Sequence, residues 1–227
     1  MGEPGPVPLL QLPTWVVLRE RIRAEEALFE ADPPPPAALP GSDGNPLSLE
    51  AAGTLFTDMR GADIPFDFAK SYCSARAHEM RRLMAAQGVE CRKVFFHAAK
   101  DYSIRVQHPA MGTILWSYHV APTVAVQTPG GVVRMVIDPS LFEGPVTIEE
   151  WRAVMHCDKA VLEQTSGAIY QPFDARDDDY KQTERLLAEA RLAAEAWRLA
   201  RETAWEDDGI VPDQDSDEDD DDIARTA

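Results

Sequence analysis

"SYCSARAHEMRRLMAAQGVECRKVFFHA", residues 71–98, changes its period halfway along, and that change sets the fold class. In its first part Cys73, Ala77, Met80 and Met84 recur at spacings of 4, 3 and 4, which predicts a helix over Ser71–Gln87. Gly88 follows as a natural C-terminal stop. From Cys91 to Ala98 the residues turn β-branched and aromatic, the texture of a strand. Further strands are predicted at Thr113–Ala121, Thr123–Thr128 and Val132–Asp138, the last two joined as a hairpin by Pro129-Gly130-Gly131. A helix followed by mostly antiparallel strands, with no alternation of strand and helix, implies an α+β fold.

Working outward, Leu47 to Met155 has the texture of a folded body, and we place a catalytic-size domain at residues 47–172. Before it, Thr14 is positioned to cap a short helix bearing Trp15, Leu18, Ile22 and Phe29. Pro33–Pro36, Pro40, Gly41, Gly44 and Pro46 then read as a stiff spacer, so residues 1–46 form an N-terminal arm. After the body, residues 173–205 contain a helix, Glu184–Trp205, with a stripe of Leu186, Ala190, Ala193, Trp197, Ala200 and Ala204. That face either docks on the body or recruits a partner helix. Residues 206–227 hold 11 acidic residues and one Arg, too charged to form a core, and read as a disordered tail.

The chain has 227 residues, 44% hydrophobic, with a net charge of −17. The tail carries most of that charge and no Lys/Arg-rich face is visible, so nucleic acid is not an expected partner. Neither a Sec-type signal nor an apolar run of 18 residues is present, from which we expect no membrane association and either a cytoplasmic location or export by a signal-independent route. Three cysteines at irregular spacing, Cys73, Cys91 and Cys157, are not a disulfide framework. Cys73 with His78 and Cys91 with His97 have loosely ligand-like spacings, but without a CxxC pair neither metal nor any other cofactor is expected.

Cys73 falls in the first turn of its helix, where unpaired N–H groups and the positive end of the dipole favour thiolate over thiol. The same amides suit an oxyanion formed when sulfur attacks a carbonyl. In "WSYHVAP", residues 116–122, strand alternation puts His119 on the face of Leu115 and Ser117, with Trp116 and Tyr118 on the other. Asp138 ends the neighbouring strand, where a carboxylate beside an imidazole fixes its tautomer and leaves the second ring nitrogen for the thiol. The alternatives for these residues are structural: a packed thiol and a satisfied half-buried histidine. His78 reads as a structural residue on the Cys73 helix, Cys91 and Cys157 as packed thiols, and His97, His108 and His156 as incidental.

SYCSARAHEMRRLM, KVFF, WSYHVAP and VIDPSLFEGPVT followed by Trp151, with IPF at residues 64–66, resemble the bacterial protein-glutaminase family in order, spacing and wording, over about residues 55–155. The resemblance implies a Cys-His-Asp hydrolase with a papain/transglutaminase-like core, its nucleophile helix packed on the sheet, that converts glutamine side chains of proteins or peptides to glutamate and ammonia. It implies Cys73 as nucleophile, His119 as general acid/base and Asp138 as its orienting partner, acting through a thioester on exposed glutamines. Ser74 stands where the family usually has Tyr, which alters the pocket wall; with Trp116 and Tyr118 it is a candidate substrate-binding residue. Relatives carry a propeptide over the site, and residues 14–31 are the corresponding candidate for a cover or docking arm. The same triad also serves a transglutaminase or a cysteine peptidase, and a non-catalytic interaction module using the C-terminal helix and acidic tail is the remaining alternative.

Overall fold

A computed structural model describes residues 37–173 and 175–207, and its compact unit begins at Ala38. The expected helix and cover of residues 14–31, and the tail from residue 208 onward, lie outside the described residues.

Short β1 (Leu47–Ser48) leads into α1 (Leu49–Gly61), capped by Ser48, whose hydroxyl accepts from the Ala51 amide at 3.0 Å. α1 buries Ala52, Leu55, Phe56 and Met59, a one-faced stripe. α2 (Cys73–Ala86) has no side-chain cap and begins after Tyr72, which sits in the left-handed region at φ 68°. Then follow β2 (Arg92–Ala98), β3 (Ile104–His108), β4 (Gly112–Trp116), β5 (Tyr118–Thr128), β6 (Gly131–Val136), β7 (Val146–Thr147) and α3 (Ile148–Ala153). β8 (Ala160–Ser166), β9 (Ile169–Gln171), β10 (Ala175–Arg176) and α4 (Lys181–Asp207) complete the unit.

The main sheet runs β7-β6-β5-β2-β8, all antiparallel, with β1 added parallel to the far half of β5. α1 and α2 pack on one face with Val124, Val126, Met135 and Ile137. The β3–β4 ribbon and α3 cover the other, where Val94, Phe96, Ala121 and Val136 meet Ile104, Ile114, Trp116 and Trp151. The architecture is α+β, as the change of period implied.

Three local readings are corrected. The break predicted at Pro122 falls at Ser117 instead: β4 ends at Trp116, β5 starts at Tyr118 and runs through the proline. Pro122 cannot donate to the ladder, but its carbonyl still accepts from the Ile137 amide at 2.9 Å, so only one bond is lost. Second, Pro40–Pro46 is no free spacer. The Glu90 amide donates to the Pro40 carbonyl and the Ala125 amide to that of Gly41, both at 2.8 Å. A Cβ on Gly41 would meet the Glu90 carbonyl at 2.6 Å, so this packing requires glycine. Third, the C-terminal helix starts at Lys181, three residues early, because Asp177 caps it by accepting from the Thr183 amide at 2.7 Å and its hydroxyl at 2.6 Å. α4 docks against α2 through a seam of Thr183, Leu187, Ala190 and Ala194, displaced from the expected stripe and leaving Leu192 and Leu199 exposed.

Candidate active site

The residues before α2 are pinned from two sides. Arg76, 2% exposed and one turn into the helix, donates to the Phe68 carbonyl at 3.0 Å and the Ser71 carbonyl at 2.6 Å. The Trp116 indole donates to the Lys70 carbonyl at 3.0 Å. These anchors hold Tyr72 in its left-handed turn and deliver Cys73, half-buried, to the first position of the helix. One Nη of Arg76 is buried with no partner among the described residues, so the cation is not fully engaged by the carbonyls.

His119 and Asp138 come together because β5 and β6 are neighbours and Asp138 follows two residues after β6 ends at Val136. His119, 1% exposed, and Asp138, 2% exposed, share a 2.8 Å hydrogen bond between Nε2 and Oδ2. The same Oδ2 accepts from the Trp151 indole at 2.8 Å, and Oδ1 accepts from the Ser140 amide at 3.2 Å. The imidazole is stacked between Trp116, centroids 4.4 Å apart, and Trp151, 5.5 Å apart. Alternation along one continuous strand put Trp116 opposite His119; the turn at Ser117 brings them ring on ring instead.

The thiol of Cys73 interacts with the imidazole from the side not used by Asp138. That side carries Nδ1, which is buried and makes no hydrogen bond of ordinary geometry among the described residues. The contact is thus loose, as catalytic contacts often are before substrate arrives. The electrostatics are nevertheless those of an ion pair. Burial pushes the Cys73 thiol up, but the adjacent His119 imidazole, the Arg76 cation and the Val120 amide outweigh it, and the thiol lies below its ordinary value. Burial opposes the imidazolium, yet Asp138 and Cys73 together raise His119 to about 9. Burial likewise opposes the Asp138 carboxylate, which His119, Trp151 and Arg76 hold below its ordinary range. Below about pH 9 such a set favours thiolate beside imidazolium over two neutral groups.

Of the three candidate substrate-binding residues, Tyr118 lines a cavity of about 570 Å³, together with His97, Val161, Glu163, Gln171 and Phe173 among others. Ser74 is buried and its hydroxyl shares a 2.9 Å hydrogen bond with the Tyr118 phenol. Its short side chain leaves room for that ring, so Ser74 meets the cavity through Tyr118. Trp116 packs behind His119 as core.

Sequence reasoning passed over Arg76 and the role of Trp151 as donor to Asp138. Arg76 is spaced one turn from Cys73, a signal legible only once the helix start is known. His78, expected as a structural residue of this helix, accepts at Nδ1 from the Lys93 amine at 2.8 Å, while its Nε2 donates to the Asp177 carbonyl at 3.2 Å, a buried polar bridge from α2 to the cap of α4. His97 faces Glu163 at 3.2 Å and lines the cavity. Cys91 is an inert packed thiol, pushed up to about 11 by burial. Among the described residues no three His, Cys, Asp or Glu side chains form a metal-binding group.

Comparison with known proteins adds chemistry to this geometry. A family model described as Glutaminase matches residues 52–155. A crystal structure of protein-glutaminase is 27% identical and superposes with a TM-score of 0.54, covering 67% of this chain and 88% of its own. The NMR structure of protein-glutaminase from Chryseobacterium proteolyticum is 26% identical, with a TM-score of 0.56, and covers 64% of this chain and 88% of its own. A crystal structure of pro-protein-glutaminase is 25% identical, with a TM-score of 0.56, covering 74% and 66% respectively. No curated protein sequence matches the chain.

Proposed function

We infer, on the premise that this chain is a member of the protein-glutaminase family through residues 52–155, that it deamidates glutamine side chains in proteins, releasing ammonia and leaving glutamate. In our reading the Cys73 thiolate attacks the γ-carboxamide carbon, and the developing oxyanion is met by first-turn amides of α2, including that of Cys73 itself. His119, protonated at Nδ1, gives its proton to the departing ammonia, which leaves a thioester. The imidazole, neutral again, takes a proton from water, whose oxygen attacks the thioester and frees glutamate and the thiolate. Asp138 holds Nε2–H throughout, fixing the tautomer and stabilising the imidazolium. Trp116 and Trp151 keep water off the ring and fix its plane. A thiol-bearing helix N-terminus packed on antiparallel strands that carry imidazole and carboxylate also supports a papain/transglutaminase-like core.

One observation carries this reading: the Cys73 thiol, in the first turn of α2, lies beside the buried His119 imidazole, whose Nε2 shares a 2.8 Å hydrogen bond with the buried Asp138 carboxylate. The test is ammonia release from a glutamine-bearing protein, with mass mapping of glutamine-to-glutamate conversion, alongside amine incorporation and chain cleavage. Ammonia without the other two, abolished in Cys73→Ala, is expected. Amine incorporation outpacing ammonia makes the enzyme a transglutaminase, cleavage makes it a peptidase, and full activity in Cys73→Ala removes the assignment of the nucleophile.

A further inference from the structure

The cavity beside the candidate nucleophile has a composition the deamidation chemistry does not use. Its floor is the α2-facing side of the main sheet, since His97 pairs with both Tyr118 and Val161, and Phe95 pairs with Glu163, so these side chains share one face. Phe95, His97 and Tyr118 form an aromatic surface there, with Phe95 and His97 stacked at 5.5 Å. The opposite wall is formed by Gln171, at the end of β9, with Pro172 and Phe173 after it, and Gln171 interacts with the Tyr118 phenol of the floor.

Two large apolar side chains in this lining are left in water. Phe173 is 99% exposed and Val161 64%. Phe173 also stands at φ 64°, a conformation that disfavours a bulky residue, so the turn presents the ring outward at a backbone cost. Tyr118 links the cavity lining to the site: its phenol shares a hydrogen bond with Ser74, the residue after Cys73, and Cys73 and Tyr118 pack on the same cluster of Ala77, Phe95 and Val120. Glu163, the carboxylate in the lining, already faces His97. Finally, the lining residues Val161, Glu163, Gln171 and Phe173 all lie beyond residue 155, where the family match ends, whereas Cys73, His119 and Asp138 lie within it.

We propose that this cavity is a specificity subsite that takes the aromatic or long aliphatic side chain adjacent to the reactive glutamine, closing it between Phe173 and Val161 over the Tyr118 ring. The inference rests on the deamidation reading and names the substrate class of that same site. When the γ-carboxamide is at the sulfur, the polypeptide bearing it lies on the open side of Cys73, and its neighbouring side chain meets the Tyr118 ring and the apolar wall. Burying that side chain together with Phe173 and Val161 removes apolar surface of both partners from water.

The test measures kcat/KM for ammonia release from a set of blocked peptides that differ only beside the glutamine, with Phe, Leu, Ala, Asp or Lys on either side in turn. The wild-type enzyme is expected to prefer Phe or Leu over Ala by about tenfold, mostly in KM, the scale of one partly buried side chain. In Phe173→Ala and in Val161→Ser that ratio falls toward unity, while alkylation of Cys73 by iodoacetamide keeps its wild-type rate and pH profile. A loss of fold would move the alkylation, so the pair of readouts isolates the subsite. Ammonia release with no such preference, a preference that survives both substitutions, or a preference for Lys that disappears in Glu163→Gln overturns this inference alone. No ammonia from any peptide or intact protein overturns the deamidation reading and takes this one with it.

Discussion

Replacing Asp138 with asparagine changes one atom's chemistry at the point where the site's electrostatics converge. The carboxylate accepts three hydrogen bonds, from His119 and Trp151 on Oδ2 and from the Ser140 amide on Oδ1. If the asparagine oxygen faces His119 and Trp151, its amide group faces the Ser140 N–H, and one acceptor is lost. If it flips, the amide meets Nε2, and His119 must move its proton to Nδ1, where it can no longer accept the thiol proton. The charge is lost either way. Raising the imidazole from 6.5 to about 9 corresponds to roughly 3 kcal/mol in favour of the imidazolium, and Asp138 is the leading favourable contribution. Loss of about 2 kcal/mol of that is about thirtyfold, and the wrong tautomer extends it, so kcat for ammonia release is expected to fall between about 10²- and 10⁴-fold. The iodoacetamide alkylation midpoint of Cys73 rises in parallel, because a less basic imidazole stabilises thiolate less. The reasoning is refuted if a folded Asp138→Asn enzyme keeps kcat within about threefold of wild type, or if the alkylation midpoint stays where it was.

Arg76→Met removes the cation that lowers the Cys73 thiol and the two donors that hold Phe68 and Ser71. Its alkylation midpoint is expected to rise, with partial return in Arg76→Lys; an unmoved midpoint makes Arg76 a structural clamp alone. Trp151→Phe keeps a ring beside His119 but takes a donor from Asp138. It is expected to lower stability by about 1–3 kcal/mol in urea unfolding, and a neutral result means water replaces the indole. Lys93, buried with its amine on His78 and the Ile169 carbonyl, is lowered by burial from 10.5 to about 7. Above about pH 7 the folded amine is neutral while the unfolded one keeps its proton until about 10.5, so unfolding takes up a proton and this group's contribution to stability rises with pH. His119 acts in the opposite sense, its contribution being complete below about 6.5 and lost as pH rises through about 9. The wild-type advantage over Lys93→Met therefore isolates the lysine and is expected to grow by up to about 1.4 kcal/mol per pH unit between pH 7.5 and 9.5; parallel stability curves would remove Lys93 as a titrating group.

The periodicities that marked α2, β2 and the β5–β6 hairpin were readable because each is local: spacing along the chain dictates which side chains share a face. The placement of Cys73, His119 and Asp138 was readable for a related reason, since a helix N-terminus and the end of a strand are positions that sequence punctuation reveals. What escaped were features set by pairing between distant segments. Pro122 stays inside β5 because Ile137 supplies a compensating donor. The chain breaks at Ser117 because β4 joins β3 while β5 joins β2. That division puts Trp116 on the ring it was expected to oppose. Pro40–Pro46 packs because Glu90 and Ala125 have amides to satisfy there.

The amino-acid sequence by itself determined the class of fold and the residue types able to do acyl-transfer chemistry, because propensity, capping and side-chain pKa are properties of short stretches. Only the tertiary structure decided that the three groups share one electrostatic system, that Arg76 and Trp151 complete it, and that segments beyond the family match wall the adjoining cavity. Burial is the reason: charges and donors interact strongly only where water is excluded, and which residues are shielded together is fixed by the packing of elements far apart in the chain.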